Sequence, residues 1–259
     1  MPLLDRFALT GKTVLITGGA GLYGSHFARS LAEAGAHVVT TSRDGDRAAA
    51  TADRLTRDGL EATGLALDLA DAADVERFTT ALGDAVGPVD VLVNNAVHRA
   101  GGALEDTTVA NWEATSAVNS RGLFQLTRDV AAGMAERGRG SIVNIGSIYG
   151  LVAPEFAIYE GTGLTMPAFY AYDKAGMVGF TRYLAAWLGP RGVRANCLCP
   201  GGLLDGQDPG FVAAYEARVP LGRLAGPDDV TGALVFLASD ASAYVTGATL
   251  PVDGGWTAK

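Results

Sequence analysis

The chain has 259 residues, of which 48% are hydrophobic, and it carries a formal net charge of −8. This length and apolar content suffice for one sizeable α/β core. The negative charge and the lack of a Lys/Arg cluster argue against a nucleic-acid partner. No apolar run approaches the length of a membrane span, and Asp5 and Arg6 interrupt the start before a signal-peptide core could form. These features predict a cytoplasmic protein without a membrane partner.

The first motif is a strand followed by a glycine-rich turn and a helix. An apolar strand at 13–17 leads into the turn from Gly18 to Gly24, and apolar residues then recur with helical period as far as Gly35. A second strand, 37–41, follows at the distance expected of a βαβ unit. The amides of the turn and the helix N terminus can hold a pyrophosphate, although a tight turn without a ligand is the alternative.

The end of the second strand bears on the choice of dinucleotide. An acidic residue there would accept hydrogen bonds from the 2′-hydroxyl of NAD and repel a phosphate. The chain instead has Ser42 and Arg43, which can bind the 2′-phosphate of NADP. Asp44 and Asp46 weaken the positive field, and Arg43 could also stack on the adenine of either cofactor. The sequence therefore favours NADP, with NAD as the alternative.

Strands and helices alternate along the rest of the chain, and the further predicted strands are 62–67, 89–94, 140–146, 193–198 and 248–252. Several are near-continuous apolar runs, which is typical of strands covered on both faces by helices. Such alternation implies a parallel sheet. We therefore predict an α/β fold, a doubly wound, mostly parallel sheet of Rossmann type flanked by helices, as a single domain over 1–259.

Tyr170 and Lys174 open a predicted helix with a spacing that places the phenol and the ammonium on one face. A lysine beside a phenol favours the phenolate and lowers the tyrosine pKa from about 10, which makes the tyrosine usable as a general acid or base. An isolated pair of this kind is more often an ordinary surface pair. Here it accompanies the glycine-rich motif, so we predict that it is the chemical centre.

Cys197 and Cys199 are the only cysteines and lie two residues apart on a predicted strand. We expect their side chains to lie on opposite faces and to remain unbridged, as buried free thiols in a reducing compartment. A Cys-x-Cys pair has too few ligands for a metal site, and the three histidines are dispersed along the chain. The sequence therefore predicts no metal.

Taken together, the motifs resemble the short-chain dehydrogenase/reductase family over nearly the whole chain. The glycine pattern of the family falls on Thr17, Gly18 and Gly24, with Leu22 at the position of the middle glycine. We expect either a slightly wider turn or an unusual conformation of Gly21 to compensate. Val97 likewise stands where the family's Asn-Asn-Ala-Gly motif has its glycine.

The resemblance implies a catalytic tetrad of Asn119, Ser147, Tyr170 and Lys174. Tyr170 would exchange a proton with the substrate oxygen as hydride moves to or from the nicotinamide, and Ser147 would hold that oxygen. Lys174 would lower the tyrosine pKa and bind the nicotinamide ribose, while Asn119 would support a proton-relaying water chain. Cofactor contacts are implied at Gly18, Tyr23, Gly24, Ser42, Arg43, Asp68, Leu69, Asn95, Ala96, Tyr170, Lys174, Pro200, Gly201 and Leu203.

The interval between Ser147 and Tyr170 is roughly ten residues longer than is usual in the family, and long loops in compact domains are often functional. We predict that 151–167 forms a substrate lid and that 202–220 forms a substrate loop. Side chains suited to a hydroxyl-rich substrate are Tyr149, Glu155, Tyr159, Glu160 and Gln207. Both loops could also be merely solvated turns.

The insert resembles that of a family branch associated with bacterial sugar modification. We therefore expect an NAD(P)-dependent oxidoreductase that interconverts a ketone and a secondary alcohol on a sugar, cyclitol or other polyhydroxylated molecule. The alternatives are a 3-oxoacyl or polyketide ketone reductase and, in another class, a dinucleotide-sensing protein without turnover. The spacing of Tyr170 and Lys174 disfavours the enoyl reductases of this fold. The resemblance also implies a homotetramer built on the two long helices that flank the site.

Overall fold

A computed structural model of the protein describes residues 2–258. Seven strands form its sheet: β1 (Thr13–Thr17), β2 (His37–Ser42), β3 (Ala62–Ala66), β4 (Val91–Asn94), β5 (Gly140–Ile145), β6 (Val193–Pro200) and β7 (Thr249–Val252). The α-helices are α1 (Leu22–Glu33), α2 (Gly45–Arg57), α3 (Ala72–Val86), α4 (Val109–Ser116), α5 (Leu123–Glu136), α6 (Ala168–Leu188), α7 (Pro209–Glu216) and α8 (Asp228–Ala238). A π-helical segment, Ala117–Gly122, joins α4 to α5.

The strands lie in the order β3-β2-β1-β4-β5-β6-β7, and every neighbouring pair is parallel. The chain winds outward from β1 in both directions, so the order reverses between β1 and β4. Loops diverge at that point and leave a crevice at the carboxyl ends of the strands, which is where open α/β sheets bind ligands. The predicted doubly wound, single-domain fold is confirmed.

Helices cover both faces of the sheet, and each face has its own core. Phe27 and Leu31 of α1 pack with Leu234 of α8 against one face. Leu126 and Met134 of α5 pack with residues of α3 and α6 against the other face. Burial on both faces explains why the strands are apolar without alternation. The predicted bounds of β1 are correct, and those of the other strands differ by no more than two residues at either end.

Both cysteines are free and buried in β6, as expected. Their predicted placement on opposite faces is wrong, because residues i and i+2 of a strand point to the same side. The two Sγ atoms lie 3.7 Å apart, and Gly146 at the end of β5 leaves room for both of them. Over residues 2–258, no helix combines the length and the apolar character needed to cross a membrane.

Candidate active site

A cleft of about 510 Å³ opens at the carboxyl ends of the strands, beside the reversal between β1 and β4. It joins the glycine-rich turn at one end to the insert and α7 at the other. Many of the residues singled out in the sequence line it: Gly18, Tyr23, Gly24, Ser42, Asn95, Ala96, Ser147, Tyr149, Tyr159, Tyr170, Lys174, Pro200, Gly201, Leu203 and Gln207. The fold therefore gathers residues from distant parts of the chain around one space.

The glycine-rich turn is shaped by close backbone contacts. Gly18 has a φ of +65°, a region that favours glycine. A Cβ at Gly24 would lie 2.1 Å from the carbonyl oxygen of Gly18, so only glycine fits there. Gly21 has an ordinary φ of −81° and is the N-cap residue of α1, which begins at Leu22. Of the two alternatives expected to accommodate Leu22, the unusual conformation of Gly21 is therefore absent, and Leu22 occupies a normal first helical position.

A clamp between the ends of β1 and β4 fixes this turn. The hydroxyl of Thr17 accepts hydrogen bonds from the amides of Asn95 and Ala96, each at 3.0 Å. The side-chain amide of Asn95 donates in return to the carbonyls of Thr17 (2.9 Å) and Gly18 (3.1 Å). On the far side, Tyr23 Oη donates to the Gly201 carbonyl oxygen at 3.1 Å. The turn, β4 and the loop after β6 are thus locked together around the space that a dinucleotide needs.

Tyr170 and Lys174 lie in the first two turns of α6, and both are buried, with exposed fractions of 9% and 4%. The Lys174 ammonium donates to the Ile145 carbonyl oxygen at 2.7 Å and lies 5.6 Å from the centre of the Tyr170 ring. Burial raises the pKa of Tyr170, but the charges of Lys174 and Arg99 and hydrogen bonds with Ser147 and Arg99 outweigh it. The net effect is a pKa below that of an ordinary tyrosine, as the sequence predicts.

Arg99 is a neighbour of this phenol that the sequence analysis missed. Its guanidinium carbon lies 4.6 Å from the centre of the Tyr170 ring, and the residue lines the cleft. It sits in the loop after β4, three residues beyond Ala96 in the family motif. The Asn-Asn-Ala motif could have directed attention to this loop, but nothing in the sequence indicates which way a loop arginine points.

Asn119 lies behind the cleft rather than in its lining. Its amide oxygen accepts from the His98 amide at 2.8 Å, and its amide nitrogen donates to the His98 carbonyl at 3.0 Å and to Asp173 Oδ2 at 2.8 Å. Asn119 sits in the π-helical segment, a feature frequent at functional sites. Gly122 in that segment packs so closely on Leu69 that a Cβ would lie 2.0 Å from its carbonyl oxygen.

Asp173 is a second residue that the sequence analysis did not consider. Burial raises the pKa of its carboxyl group, against hydrogen bonds from Asn119 and Ser120 and the nearby charge of Lys174. The Asp173 carboxylate fixes the orientation of the Asn119 amide, because an ionised carboxylate is an acceptor only and must face the NH₂ group rather than the amide oxygen. Asn119 thereby ties α6 to the loop that carries Arg99.

At the nucleotide end, the cleft is lined by Ser42, the last residue of β2, and by Arg47 in the first turn of α2. The Arg47 guanidinium donates to the Ala20 carbonyl oxygen at 3.4 Å, so it spans from α2 to the glycine-rich turn. Arg43 is exposed and does not line the cleft. Asp44 caps α2 by accepting from the amides of Asp46 and Arg47, so its carboxylate faces the helix N terminus. Arg47 is therefore the better-placed cation for a 2′-phosphate.

Asp68 and Leu69 follow β3 and lie outside the cleft lining. The Asp68 carboxylate accepts from the Ala70 amide at 2.9 Å, and the Asp68 amide donates to Asp74 at 2.8 Å. These bonds shape the loop after β3, beside the end of β2. Asp68 and Leu69 therefore lie near the nucleotide end of the cleft but do not line it.

The insert contributes to the opposite wall of the cleft. Tyr159 lies there with its hydroxyl 2.9 Å from that of Tyr149, and burial raises the pKa of both phenols. Tyr159 also stacks obliquely on Phe211 of α7, with ring centres 5.3 Å apart. Ile158 anchors the insert with an exposed fraction of only 2%. The insert and α7 thus form one aromatic wall, whose remaining members include Tyr215.

The acidic residues of the insert do not reach the cleft. Glu155 pairs with Arg218 at 2.9 Å on the outer surface, and Glu160 is exposed. Neither residue lines the cleft. The side chain of Gln207 does line it, but its amide groups are engaged by the Leu203 carbonyl (2.6 Å) and the Asp205 amide (2.8 Å). Gln207 therefore braces the loop after β6.

Comparison with known proteins agrees with this geometry. A family model described as enoyl-(acyl carrier protein) reductase matches residues 21–257. D-threitol dehydrogenase of Mycolicibacterium smegmatis is 36% identical over 98% of this chain and 95% of that protein. A gluconate 5-dehydrogenase from Burkholderia cenocepacia J2315, solved in complex with NADP and tartrate, has a TM-score of 0.91 and 36% identity, with 100% of both chains covered. A short-chain type dehydrogenase/reductase from Mycobacterium marinum has a TM-score of 0.89 and 30% identity over 100% of both chains.

The matches to the threitol and gluconate dehydrogenases extend along nearly the entire chain and therefore include the glycine-rich turn, the strand ends and the Tyr170–Lys174 pair. The protein belongs to the short-chain dehydrogenase/reductase family of NAD(P)-dependent oxidoreductases.

Proposed function

We propose that this protein uses NADP to interconvert a polyhydroxylated ketone and the corresponding secondary alcohol, with Tyr170 as the acid–base group. The observation that carries the proposal is the environment of the Tyr170 phenol. It is buried in the cleft wall, yet Lys174, Arg99 and Ser147 together keep its pKa below the ordinary value. A phenol with a lowered pKa gives up a proton more readily than an ordinary tyrosine and can regain it, which a general acid–base catalyst must do.

In the reducing direction, the Tyr170 hydroxyl donates its proton to the substrate oxygen, and in the oxidising direction the phenolate removes it. The Ser147 hydroxyl, which hydrogen-bonds the phenol, holds the same oxygen. Lys174 stabilises the phenolate electrostatically from a position fixed by the Ile145 carbonyl. Asn119 orders the loop and helix behind this group, through His98 and Asp173.

The residues present fit a dinucleotide. The tight glycine turn and the N terminus of α1 offer amides for a pyrophosphate, and Ser42 and Arg47 offer a hydroxyl and a cation for a 2′-phosphate. Asn95, Ala96, Pro200 and Gly201 line the space between this end and Tyr170. When bound, the nicotinamide supplies or accepts the hydride. NADP is the proposed cofactor, and NAD is the alternative.

The aromatic wall and the names of the relatives support a polyhydroxylated substrate. Tyr149 and Tyr159 present paired hydroxyls on an otherwise apolar surface, a combination suited to the edges and faces of a polyol. The similar proteins include a threitol dehydrogenase and a gluconate dehydrogenase. We assign the role of lid to 151–167 through Tyr159 and Met166, and 202–220 forms the facing loop. The proposed substrate site does not include Glu155 or Glu160, because neither residue lines the cleft.

A ketone on an acyl chain is the second candidate. Val152, Phe156 and Leu164 of the insert are exposed apolar side chains, and they could contact such a chain outside the cleft. An acyl substrate would make these residues necessary for affinity, whereas a polyol confined to the cleft would not contact them.

Assembly as a homotetramer is proposed on the exposed aromatic face of α5 and α6, where Phe124, Tyr183 and Trp187 are at least half exposed. Two buried free thiols suit a reducing compartment, so we propose the cytoplasm as its location. Light scattering of the purified protein tests the assembly, and a monomeric mass would contradict it.

The function is tested by following nicotinamide absorbance with a panel of ketones and alcohols. We expect NADPH-dependent reduction of polyhydroxylated ketones to exceed that of apolar ketones of similar size. Preference for acyl thioesters would instead support the second candidate. Tight NADPH binding without turnover of any carbonyl compound would indicate the sensing protein and contradict the enzymatic proposal.

A further inference from the structure

The charged residues that line the cleft are all cationic, although the protein carries a net charge of −8. They are Arg47, Arg99 and Lys174. Within residues 2–258, no Asp or Glu lines the cleft. An acidic protein that keeps carboxylates out of its ligand cleft presents a local positive field there, which attracts anions.

Two of these cations, Arg47 and Lys174, have partners that account for them. Arg47 lies at the nucleotide end, beside Ser42 and the glycine-rich turn, where NADP carries its extra phosphate. Lys174 is buried and is committed to the Ile145 carbonyl and the Tyr170 phenol. Arg99 also acts on the Tyr170 phenol, but it is exposed, and it is the one of the three whose remaining N–H donors have no role in binding the cofactor or in the fold.

Arg99 lies on the substrate side of the phenol. Its guanidinium is 4.6 Å from the centre of the Tyr170 ring, and its charge also acts on Tyr159 in the opposite aromatic wall. Among residues 2–258, none of the ion pairs includes Arg99. A guanidinium has five N–H donors, so the contact with Tyr170 leaves donors for a second partner.

The loop that carries Arg99 is fixed rather than free. The residue before it, His98, is held through both its amide and its carbonyl by the Asn119 side chain, at 2.8 Å and 3.0 Å. The side chain itself is exposed but rests on the Tyr170 ring. A guanidinium held in one place can bind a carboxylate through two parallel hydrogen bonds, a geometry that a lysine cannot reproduce.

We propose that Arg99 binds a carboxylate of the substrate, so that the substrates are hydroxy acids and their keto acids rather than neutral polyols. This inference rests on the proposed function and narrows its substrate class. Arg99 lies beside the Tyr170 phenol, and the reacting oxygen of the substrate binds to the same phenol. The substrate carboxylate that Arg99 binds must therefore be on a carbon close to the one that exchanges the hydride. The remaining hydroxyls of the molecule face Tyr149 and Tyr159.

The test compares tartrate with threitol, two four-carbon compounds that share the central pair of secondary hydroxyls and differ in carrying carboxylate or hydroxymethyl groups at their ends. Their affinities for the NADP-saturated enzyme are measured by calorimetry in the wild type, Arg99→Met, Arg99→Lys and Arg77→Met. Arg77 is an exposed residue of α3 outside the cleft, paired with Asp74, so Arg77→Met removes the same charge as a control.

We expect the wild type and Arg77→Met to bind tartrate about 10- to 100-fold more tightly than threitol, the range of a charge-assisted hydrogen bond. Arg99→Met should lose this preference while its affinity for threitol stays within about twofold, because only the anion loses a partner. Arg99→Lys should keep part of the preference through its charge.

Equal affinities in the wild type, or a preference that survives in Arg99→Met, would overturn the proposal. Equal weakening of both ligands in Arg99→Met, with an alkaline shift in the pH dependence of turnover, would also overturn it and leave Arg99 as a group that only stabilises the phenolate. Efficient wild-type reduction of the neutral ketone erythrulose without a tartrate preference would refute this inference alone. A tartrate preference in an enzyme that reduces no carbonyl compound would refute the proposed function alone.

Discussion

The nucleotide end of the cleft is shaped mainly by close backbone packing, whereas the substrate end is shaped by packing between side chains. Gly18 and Gly24 pack backbone against backbone, and the clamp between Thr17 and Asn95 holds them at the end of the sheet. Substituting one of these residues changes the geometry of the chain itself. We therefore expect this end of the cleft to tolerate few substitutions.

The substrate end is held by side-chain packing between loops. Tyr159 of the insert contacts Phe211 of α7, and Tyr215 stacks on Trp256 with ring centres 4.5 Å apart. These contacts tolerate a change of residue as long as volume and shape are kept. We infer from this contrast that one scaffold can keep its cofactor end unchanged while the residues of its substrate wall are altered. Tyr170 lies where the two ends meet.

The largest effect is expected from Tyr170→Phe, which removes the acid–base group and leaves both ends intact. Turnover should fall by about two to four orders of magnitude, the usual contribution of a positioned general acid. NADPH affinity should stay within about twofold, because the ring still fills its buried site. Single-turnover kinetics and a fluorescence titration with NADPH measure the two quantities.

The pH dependence checks that the phenol itself is responsible. The oxidation rate should rise with pH as the phenolate forms and level off below pH ~10, since the pKa of Tyr170 is lower than the ordinary value. The residual activity of Tyr170→Phe should lack this rise. Near-normal turnover of the variant would refute the assignment.

The relative affinities for NADPH and NADH test the nucleotide end of the cleft without involving the substrate end. Arg47→Met should weaken NADPH binding by about 1.5 to 3 kcal/mol, the value of a hydrogen bond to a charged group, and leave NADH almost unchanged. Arg43→Met is the matched control, because Arg43 is exposed and does not line the cleft. Dissociation constants for both cofactors give the answer. A larger loss in Arg43→Met than in Arg47→Met would restore Arg43 as the phosphate ligand.

Backbone packing at the same end is tested by two glycines three residues apart. A Cβ at Gly24 would lie 2.1 Å from the Gly18 carbonyl oxygen, whereas one at Gly21 would lie 3.1 Å from it. Gly24→Ala should cost about 1 to 3 kcal/mol of stability, as overpacking does, and should weaken NADPH binding as the turn shifts. Gly21→Ala should cost under about 1 kcal/mol. Equal losses in thermal and denaturant unfolding would contradict this account of the turn.

Much of the nucleotide end could be read from the sequence because it depends on local pattern. Strand, turn and helix follow one another over residues 13–33, and the sheet then fixes where the turn lies. Tyr170 and Lys174 are likewise neighbours on one helix. The role of Leu22 as the first residue of α1 could not be predicted in the same way, because the packing of the turn decides where the helix begins.

Residues whose position depends on tertiary packing could not be found in this way. Arg47 and Arg43 are both arginines near the end of β2, and only the start of α2 decides which one turns toward the glycine turn. Arg99 depends on the anchoring of its loop by Asn119, a residue 20 positions further along the chain. Glu155 has a long-range partner, Arg218, which draws it to the outer surface.

The smallest effects are expected from hydroxyl and carboxyl groups at the substrate end. Tyr159→Phe removes one hydroxyl of the pair with Tyr149 and leaves the buried partner without its hydrogen bond. Catalytic efficiency toward a polyhydroxylated substrate should fall by about 0.5 to 1.5 kcal/mol, the net value of a neutral hydrogen bond. An apolar ketone of similar size should lose less, because it has no hydroxyl to place against Tyr149.

The matched comparison is the double variant Glu155→Gln with Glu160→Gln. Both carboxylates lie outside the cleft, and the exposed ion pair between Glu155 and Arg218 contributes only about 0 to 1 kcal/mol. We therefore expect KM for both substrates to stay within about twofold of the wild type, since neither group reaches a substrate in the cleft. A rise in KM confined to the polyhydroxylated substrate would show that the insert closes further and brings a glutamate inward. The hydroxyl contacts would then belong to Glu155 or Glu160 as well as to Tyr159.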